Sequence, residues 1–263
     1  MADPVIRYEL SDGVATVTLD RPDAMNALDT ALKEGLRDRL AEASGNPDVR
    51  AVVLTGSGRS FSVGQDLREH QQNLAGGAEA ALTTVARHYN PIATALATMP
   101  KPVIAAINGV AAGAGASFAF ACDFRILADS ASFNLAFASI GLTADSGASW
   151  TLPRLVGLAT AREMLMLPET ISAQRAAELG LATRVVPAGE LLATAYELAR
   201  TLAAGPTVAY GAIKRSLAYA QGRGLDEALD FENGMQTLAG ATEDHRRAVE
   251  AFMAKQKPTF RGR

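Results

Sequence analysis

The chain has 263 residues, 48% hydrophobic, 20% charged and 6% aromatic, with 25 Lys+Arg against 28 Asp+Glu and a formal charge of −3. That balance offers no basic field for nucleic acid or an anionic membrane, and the apolar share excludes global disorder. One cysteine, Cys122, and three scattered histidines, His70, His88 and His245, exclude an internal disulfide framework and argue against a Cys/His zinc cluster. The opening residues, MADPVIRYELSDG, lack a basic stretch followed by an apolar run, so no signal peptide is expected. The expectation is a globular, cytoplasmic protein without metal or cofactor.

In chain order, residues 5–10 and 14–19 flank Ser11-Asp12-Gly13 and predict a β-hairpin. Leu28, Leu32, Leu36 and Leu40 recur every four residues behind Asp29-Thr30, which predicts a capped helix. Residues 51–55 (AVVLT) read as a buried strand, and Leu82, Val85, Tyr89 and Ile92 as a helix after a polar loop. Residues 102–122 carry no charge and contain Gly109-Val-Ala-Ala-Gly113, the spacing of a membrane helix-pairing motif. A strand at 103–107, a turn at Asn108-Gly109 and an apolar helix after Gly113 and Gly115 account for it better. Residues 124–127 and 183–186 read as two more strands, whereas from Glu190 onward only helical patterns occur. The alternation predicts an α/β core joined by helical crossovers, with a helical appendage.

Familiar active-site signatures are missing. There is no Walker loop, no H-E-x-x-H and no dinucleotide fingerprint, and Ser60 near Gly58 does not complete a G-x-S-x-G elbow. Two glycine-containing loops remain, residues 60–67 and 108–115, each beyond the C-terminal end of a predicted strand, where open α/β sheets bind ligands. Glycine lets a backbone approach a ligand and aim N–H groups at it. Two such groups on one oxygen would form an oxyanion hole, and the helix after the second loop adds a partial positive charge. Tight turns alone would also explain these glycines. In residues 140–150, Asp145 stands among small and apolar side chains. It reads equally as a desolvated proton carrier or as the N-cap of the next helix.

Several ordered segments carry a resemblance. They are Leu19-Asp-Arg-Pro22 with Asn26-Ala-Leu28, Arg50-Ala-Val-Val-Leu-Thr-Gly56, Phe61-Ser-Val-Gly-Gln-Asp-Leu67 and Lys101-Pro-Val-Ile-Ala-Ala-Ile-Asn-Gly109. Leu152-Pro-Arg-Leu-Val-Gly157 and residues 171–181 continue the series. In these the chain resembles the crotonase (enoyl-CoA hydratase/isomerase) superfamily from about Val5 to its end. The resemblance implies an α/β fold, a spiral of ββα units over residues 1–190, with a helical oligomerisation region at 191–263. It also implies acyl-CoA thioester substrates, with coenzyme A as part of the substrate rather than a cofactor, and assembly as a homotrimer or homohexamer.

Carried over by position, the oxyanion hole of the family falls on the backbone N–H groups of Gln65 and Ala114. The contacts to substrate fall near Ala24, Asn26, Ala27, Ser62, Gly64, Asp66, Leu67 and Gly113. The two water-delivering glutamates of family hydratases fall on Ser117 and Phe137, neither of which carries an acid. Asp145, four residues after Gly141, is similar to the carboxylate of the isomerase branches, above all 1,2-epoxyphenylacetyl-CoA isomerases. Those share Phe-x-x-Gly-Gln-Asp-Leu, Asn-Gly-Val-Ala-Ala-Gly-Ala-Gly-Ala, Asp-x-Gly-x-x-Trp-x-Leu-Pro-Arg and the match at Tyr89-Asn90-Pro91. The resemblance therefore implies an isomerase of phenylacetate or fatty-acyl catabolism with Asp145 as proton shuttle. A hydratase or hydrolase on the same fold and a non-catalytic CoA-ester-binding protein are the alternatives. Phe137 and Trp150 would line the acyl pocket or simply pack in the core.

Overall fold

A computed structural model describes residues 5–263. The chain opens with β1 (Ile6–Ser11) and β2 (Val14–Leu19), then α1 (Thr30–Gly45), β3 (Ala51–Gly56), β4 (Ser60–Ser62), α2 (Leu67–Leu74), α3 (Ala78–Thr84) and α4 (Asn90–Thr98). It continues through β5 (Val103–Ile107), β6 (Val110–Ala112), α5 (Ala114–Ala121), β7 (Phe124–Ala128), β8 (Ser132–Asn134), α6 (Ala148–Val156), α7 (Leu158–Met166) and β9 (Ile171–Ser172). The last elements are α8 (Ala173–Glu178), β10 (Arg184–Val186), α9 (Leu191–Ala203), α10 (Thr207–Ala220), α11 (Leu225–Gly240) and α12 (Glu243–Met253).

The hairpin forms because Asp12 and Gly13 both take positive φ, 51° and 75°, the two-residue turn whose twist matches antiparallel strands. β2, β3 and β5 form where the sequence places strands: β3 and β5 are almost wholly buried apolar runs, paired in parallel, and β2, expected only as a hairpin strand, is buried throughout. Asp29 caps α1 by accepting the Leu32 N–H at 2.9 Å, and Leu32, Leu36 and Leu40 form its buried stripe. The uncharged residues 102–122 become β5, β6 and the fully buried α5. Among the described residues no helix is long and apolar enough to cross a membrane.

Two sheets result. One has the order β1-β2-β3-β5-β7-β10 and the other β4-β6-β8-β9. From β3 onward each long strand is followed by a short one, so β3, β5, β7 and β4, β6, β8 advance in step, each pair in parallel. That stepwise advance is a spiral of ββα units. The second sheet corrects the sequence reading of residues 60–67 and 108–115 as loops throughout: 60–62 and 110–112 are strands. α9 buries Leu191, Ala195, Ala199 and Ala203 against the first sheet. α10 and α11 pack together, with the Tyr219 and Phe231 rings stacked at 4.0 Å, but α11 contributes no buried residue. Leu217, Leu225, Phe252 and Met253 are exposed on this helical end.

Candidate active site

The two sheets end together at a cavity of about 780 Å³. Its first wall is the segment leaving β4. Here Leu28 forms a parallel bridge with Gln65, its N–H donating to Gly64 O at 2.8 Å while the Asp66 N–H donates to Leu28 O at 3.3 Å. In such a bridge the N–H of Gln65 itself turns away from Leu28. Asp66 then caps α2, accepting the N–H groups of Arg68 and Glu69, and pairs with Arg21 at 3.2 Å. Burial raises the Asp66 pKa, but the Glu69 N–H and the Arg21 guanidinium outweigh it and hold the carboxyl below its ordinary value.

The second wall is the turn from β6 into α5. Gly113 has φ +50 and ψ −124, a conformation that glycine tolerates, and its N–H donates to Asn134 O at 2.9 Å. Ala114 is the first residue of α5, so its N–H has no partner inside the helix. Among the described residues neither the Gln65 nor the Ala114 N–H has a protein acceptor. The two walls touch: a Cβ placed on Gly64, whose φ is +82, would lie 2.8 Å from Ala112 O and 3.3 Å from Ala114 N.

Asp145 closes the cavity from the segment before α6. The N-cap reading does not hold, because α6 starts after Gly147 with no side-chain cap. Instead the half-buried carboxylate accepts the Ser146 hydroxyl at 2.8 Å. Ser146 takes φ +54, strain at a non-glycine residue beside a candidate functional group. Burial holds the Asp145 carboxyl above the ordinary carboxylate value, and the Ser146 hydrogen bond only partly offsets that.

Among the described residues five carboxylates line the cavity: Asp23, Asp29, Asp66, Glu69 and Asp145. Asp29 and Asp66 share Arg21, Glu69 pairs with Lys33, and Asp23 is exposed. Among the described residues Asp145 is the half-buried lining carboxylate without a cation.

The cavity also gathers Ala24, Ala27, Leu67, Gly113 and Phe137 among the sequence-predicted residues, with Ala136, Ile140 and Leu142 beside Phe137. Four others do not line it. Asn26 is fully buried and spends its side chain on the backbone, accepting the Arg21 N–H and donating to Ser57 O and Ser60 O. Ser62 donates its hydroxyl to Asn26 O at 2.8 Å and accepts the Gly64 N–H, so it braces the loop from behind. Gly64 is the spacer between the walls. Trp150 is 43% exposed on α6 with the Arg154 guanidinium 4.1 Å from its ring centre, outside both the cavity and the core. Ser117 is fully buried and donates to Gly113 O at 3.1 Å.

Among the lining residues that sequence reasoning did not assign to the site, three matter most for its chemistry: Arg59, Arg68 and Tyr89. Arg59 and Arg68 are exposed cations with no carboxylate partner among the described residues. Tyr89, 2% exposed, donates its hydroxyl to Gln65 Oε1. Its hydroxyl pKa is pushed up, first by burial and then by the charge of Asp145. Pro91 two residues later was a usable signal, since a proline there perturbs the helix that carries Tyr89.

Comparison with known proteins adds to this geometry. The family model described as "Enoyl-CoA hydratase/isomerase" matches residues 9–263. A 1,2-epoxyphenylacetyl-CoA isomerase of Escherichia coli (strain K12) is 42% identical over 258 residues, 98% of each chain. A Rhodobacter capsulatus protein assigned as an enoyl-CoA hydratase is 43% identical over 265 residues, 100% of each chain. A crystal structure assigned as an enoyl-CoA hydratase/isomerase from Mycobacterium abscessus superposes with a TM-score of 0.93 at 44% identity, covering 98% of this chain and 100% of that one. Isomerase and hydratase names thus occur at the same level of similarity.

Proposed function

The chain belongs to the enoyl-CoA hydratase/isomerase family, and from that premise we propose that it isomerises an acyl-CoA thioester with Asp145 as its proton shuttle. The observation that carries this reading is the isolation of Asp145. Among the described residues it is the one half-buried lining carboxylate without a cation, it shares the cavity with two unengaged backbone N–H groups, and Ser117 and Phe137, onto which the resemblance carries the hydratase glutamates, bring no acid.

In this mechanism the thioester oxygen sits between the N–H groups of Gln65 and Ala114. Asp145 takes a proton from the carbon α or γ to the carbonyl, and the electron pair moves onto the thioester oxygen as an enolate or dienolate. Preorganised donors stabilise that charge, each contributing about 2.7–4 kcal/mol in the transition state. Asp145 then returns the proton at the other end of the conjugated system, so the double bond moves and mass is unchanged. A ring-1,2-epoxide of phenylacetyl-CoA would rearrange to an oxepin in the same site. This version is favoured by the similarity to the E. coli isomerase. Phe137 with Ile140 and Leu142 suits a flat or unsaturated acyl group, and Arg59 and Arg68 at the mouth suit the phosphates of coenzyme A. The exposed apolar residues on α10–α12 support self-association as a trimer or hexamer, and the enzyme would act in the cytoplasm.

The test is Asp145→Asn, which keeps the shape and the Ser146 contact but cannot take a proton. Turnover of epoxyphenylacetyl-CoA, 3-enoyl-CoA and 2-enoyl-CoA, followed by product mass, should show isomerisation in the wild type and about a 10²–10⁴-fold loss in the variant. Acyl-CoA affinity should stay nearly intact. A gain of one water in the wild-type product would favour a hydratase, the reading that the R. capsulatus relative's name supports. Wild-type turnover in Asp145→Asn would remove Asp145 from the chemistry.

A further inference from the structure

The Gln65 N–H lies in a loop, so something outside the loop must fix its direction. The bridge to Leu28 holds the peptides on either side, through Gly64 O and the Asp66 N–H. Rotation about that bridge is restrained by the side chain, whose Oε1 accepts the Tyr89 hydroxyl while its Nε2 donates to Asp66 O at 3.3 Å.

Tyr89 is itself tightly placed. Phe118 meets its ring edge-on at 5.9 Å between centroids, and the Lys33 ammonium lies 5.8 Å from the ring centre. The hydroxyl reaches Gln65 because residues 85–89 form a π-helical turn, with the Asn90 N–H donating to Val85 O. Pro91, near the start of α4, explains the widening: it lacks an N–H, and its ring crowds the carbonyl four residues back, that of Arg87. One extra residue in the turn rotates everything before it relative to α4, and such π-turns recur at functional sites.

From these contacts we infer that Tyr89 is a positioning residue for the reaction: acting through the Gln65 side chain, its hydroxyl holds the Gln65 N–H on the thioester oxygen. The inference rests on the reading of Gln65 and Ala114 as oxyanion donors. Hydrogen bonds weaken steeply off axis, so a Gln65 peptide that can tilt about its remaining Leu28 N–H to Gly64 O bond costs transition-state stabilisation more than ground-state binding. Burial and the nearby Asp145 charge keep the hydroxyl protonated, hence a donor, across neutral pH.

The experiment compares Tyr89→Phe, Gln65→Met and the double variant in the intact enzyme. Phenylalanine keeps the ring contacts, and methionine keeps the backbone N–H while removing the acceptor. The probe is hexadienoyl-CoA, whose near-ultraviolet absorption moves to the red when its carbonyl is polarised by bound donors. A merely structural role would lower melting temperature without changing the red shift per bound probe.

The expected result is a clear red shift in the wild type and a reduced one in Tyr89→Phe. kcat should fall about 10–100-fold, part of the 10²–10³ due to a whole donor, with KM changed less than about threefold. The double variant should match Gln65→Met rather than fall below it, because both single changes break the Tyr89–Gln65 hydrogen bond and Gln65→Met also frees the peptide of Asp66 from Nε2. A full red shift and unchanged kcat in Tyr89→Phe would overturn the inference, as would additive losses in the double variant. No red shift in the wild type would instead overturn the oxyanion reading, and the role of Tyr89 with it.

Discussion

Gly64→Ala tests whether the spacing of the two loops makes the site. The new methyl would sit on a residue with φ +82, 2.8 Å from Ala112 O and 3.3 Å from Ala114 N, both backbone atoms that cannot swing aside. The left-handed conformation alone costs about 1–2 kcal/mol for a residue with a Cβ. Relieving the overlap adds about 1–3 kcal/mol and forces the β6–α5 turn away from the β4 loop. If that movement takes the Ala114 N–H off the thioester oxygen, one donor is lost, about 2.7–4 kcal/mol or 10²–10³ in kcat. Steady-state kinetics of the isomerisation and thermal melts measure the two effects separately. Gly180→Ala is the matched control, with φ +77 but only an ordinary contact, Leu155 O at 3.8 Å. It should lose about 1–2 kcal/mol of stability for its backbone conformation and no kcat. A folded Gly64→Ala enzyme with kcat within about threefold of the wild type would refute the reasoning, because the donor term alone demands at least 10².

Ser146→Ala removes the hydrogen bond that restrains the already raised Asp145 pKa. The ionised base is lost as pH falls through that raised value, so the acid limb of kcat/KM should move to higher pH in the variant. A limb that stays put would assign it to another group. Lys33, 1% exposed, donates to Glu69 at 2.7 Å and Thr84 at 3.0 Å, tying α2 to α1. Lys33→Met should therefore cost about 3–5 kcal/mol, toward the lower end because Glu69 keeps the Thr30 N–H at 2.7 Å. The thermal midpoint should drop by about 10 °C, and Glu69→Gln in the same chain should recover part of it. Burial raises the Glu69 pKa, but the hydrogen bonds from Lys33 and Thr30 together outweigh it and leave it low. That stability is present above the ordinary carboxylate value and lost as pH falls through the lowered one. The acid-side loss should be smaller in Lys33→Met, read from melts across pH.

How far the sequence could be read follows from the length of each element and the kind of contact it makes. β3 and β5 were legible because a parallel strand buried on both faces is a continuous apolar run, and α1 because Asp29 and three leucines mark a cap and a stripe. β4, β6, β8 and β9 have two or three residues each, too few for any period, and exist only through pairing with one another. The same division runs through the site. Gln65, Ala114 and Asp145 do meet at one cavity. Asn26, Ser62 and Gly64 stand next to cavity residues in sequence but turn inward, since a loop that presents N–H groups must itself be braced from behind. Tyr89 fell into a helical stripe with Leu82, Val85 and Ile92. Only the π-turn at Val85–Tyr89 gives its hydroxyl a different task, and a one-residue insertion is invisible to a 3.6-residue pattern.

What the cavity lacks bears on the proposed reaction as much as what it holds. Adding water to a double bond needs one group to activate the water and a proton donor for the neighbouring carbon. Ser117 is buried with its hydroxyl donating to the Gly113 carbonyl, and Phe137 is apolar, so neither side chain brings an acid to the cavity. The other lining acids are paired with Arg21 or Lys33 or, at Asp23, stand in solvent. A lone carboxylate whose burial raises its proton affinity can take a proton and give it back. Building a hydratase into this site would therefore need two acids together. Ser117→Glu alone would lose its back-bond to α5, bury a charge without a partner, and destabilise the enzyme without adding water to its product.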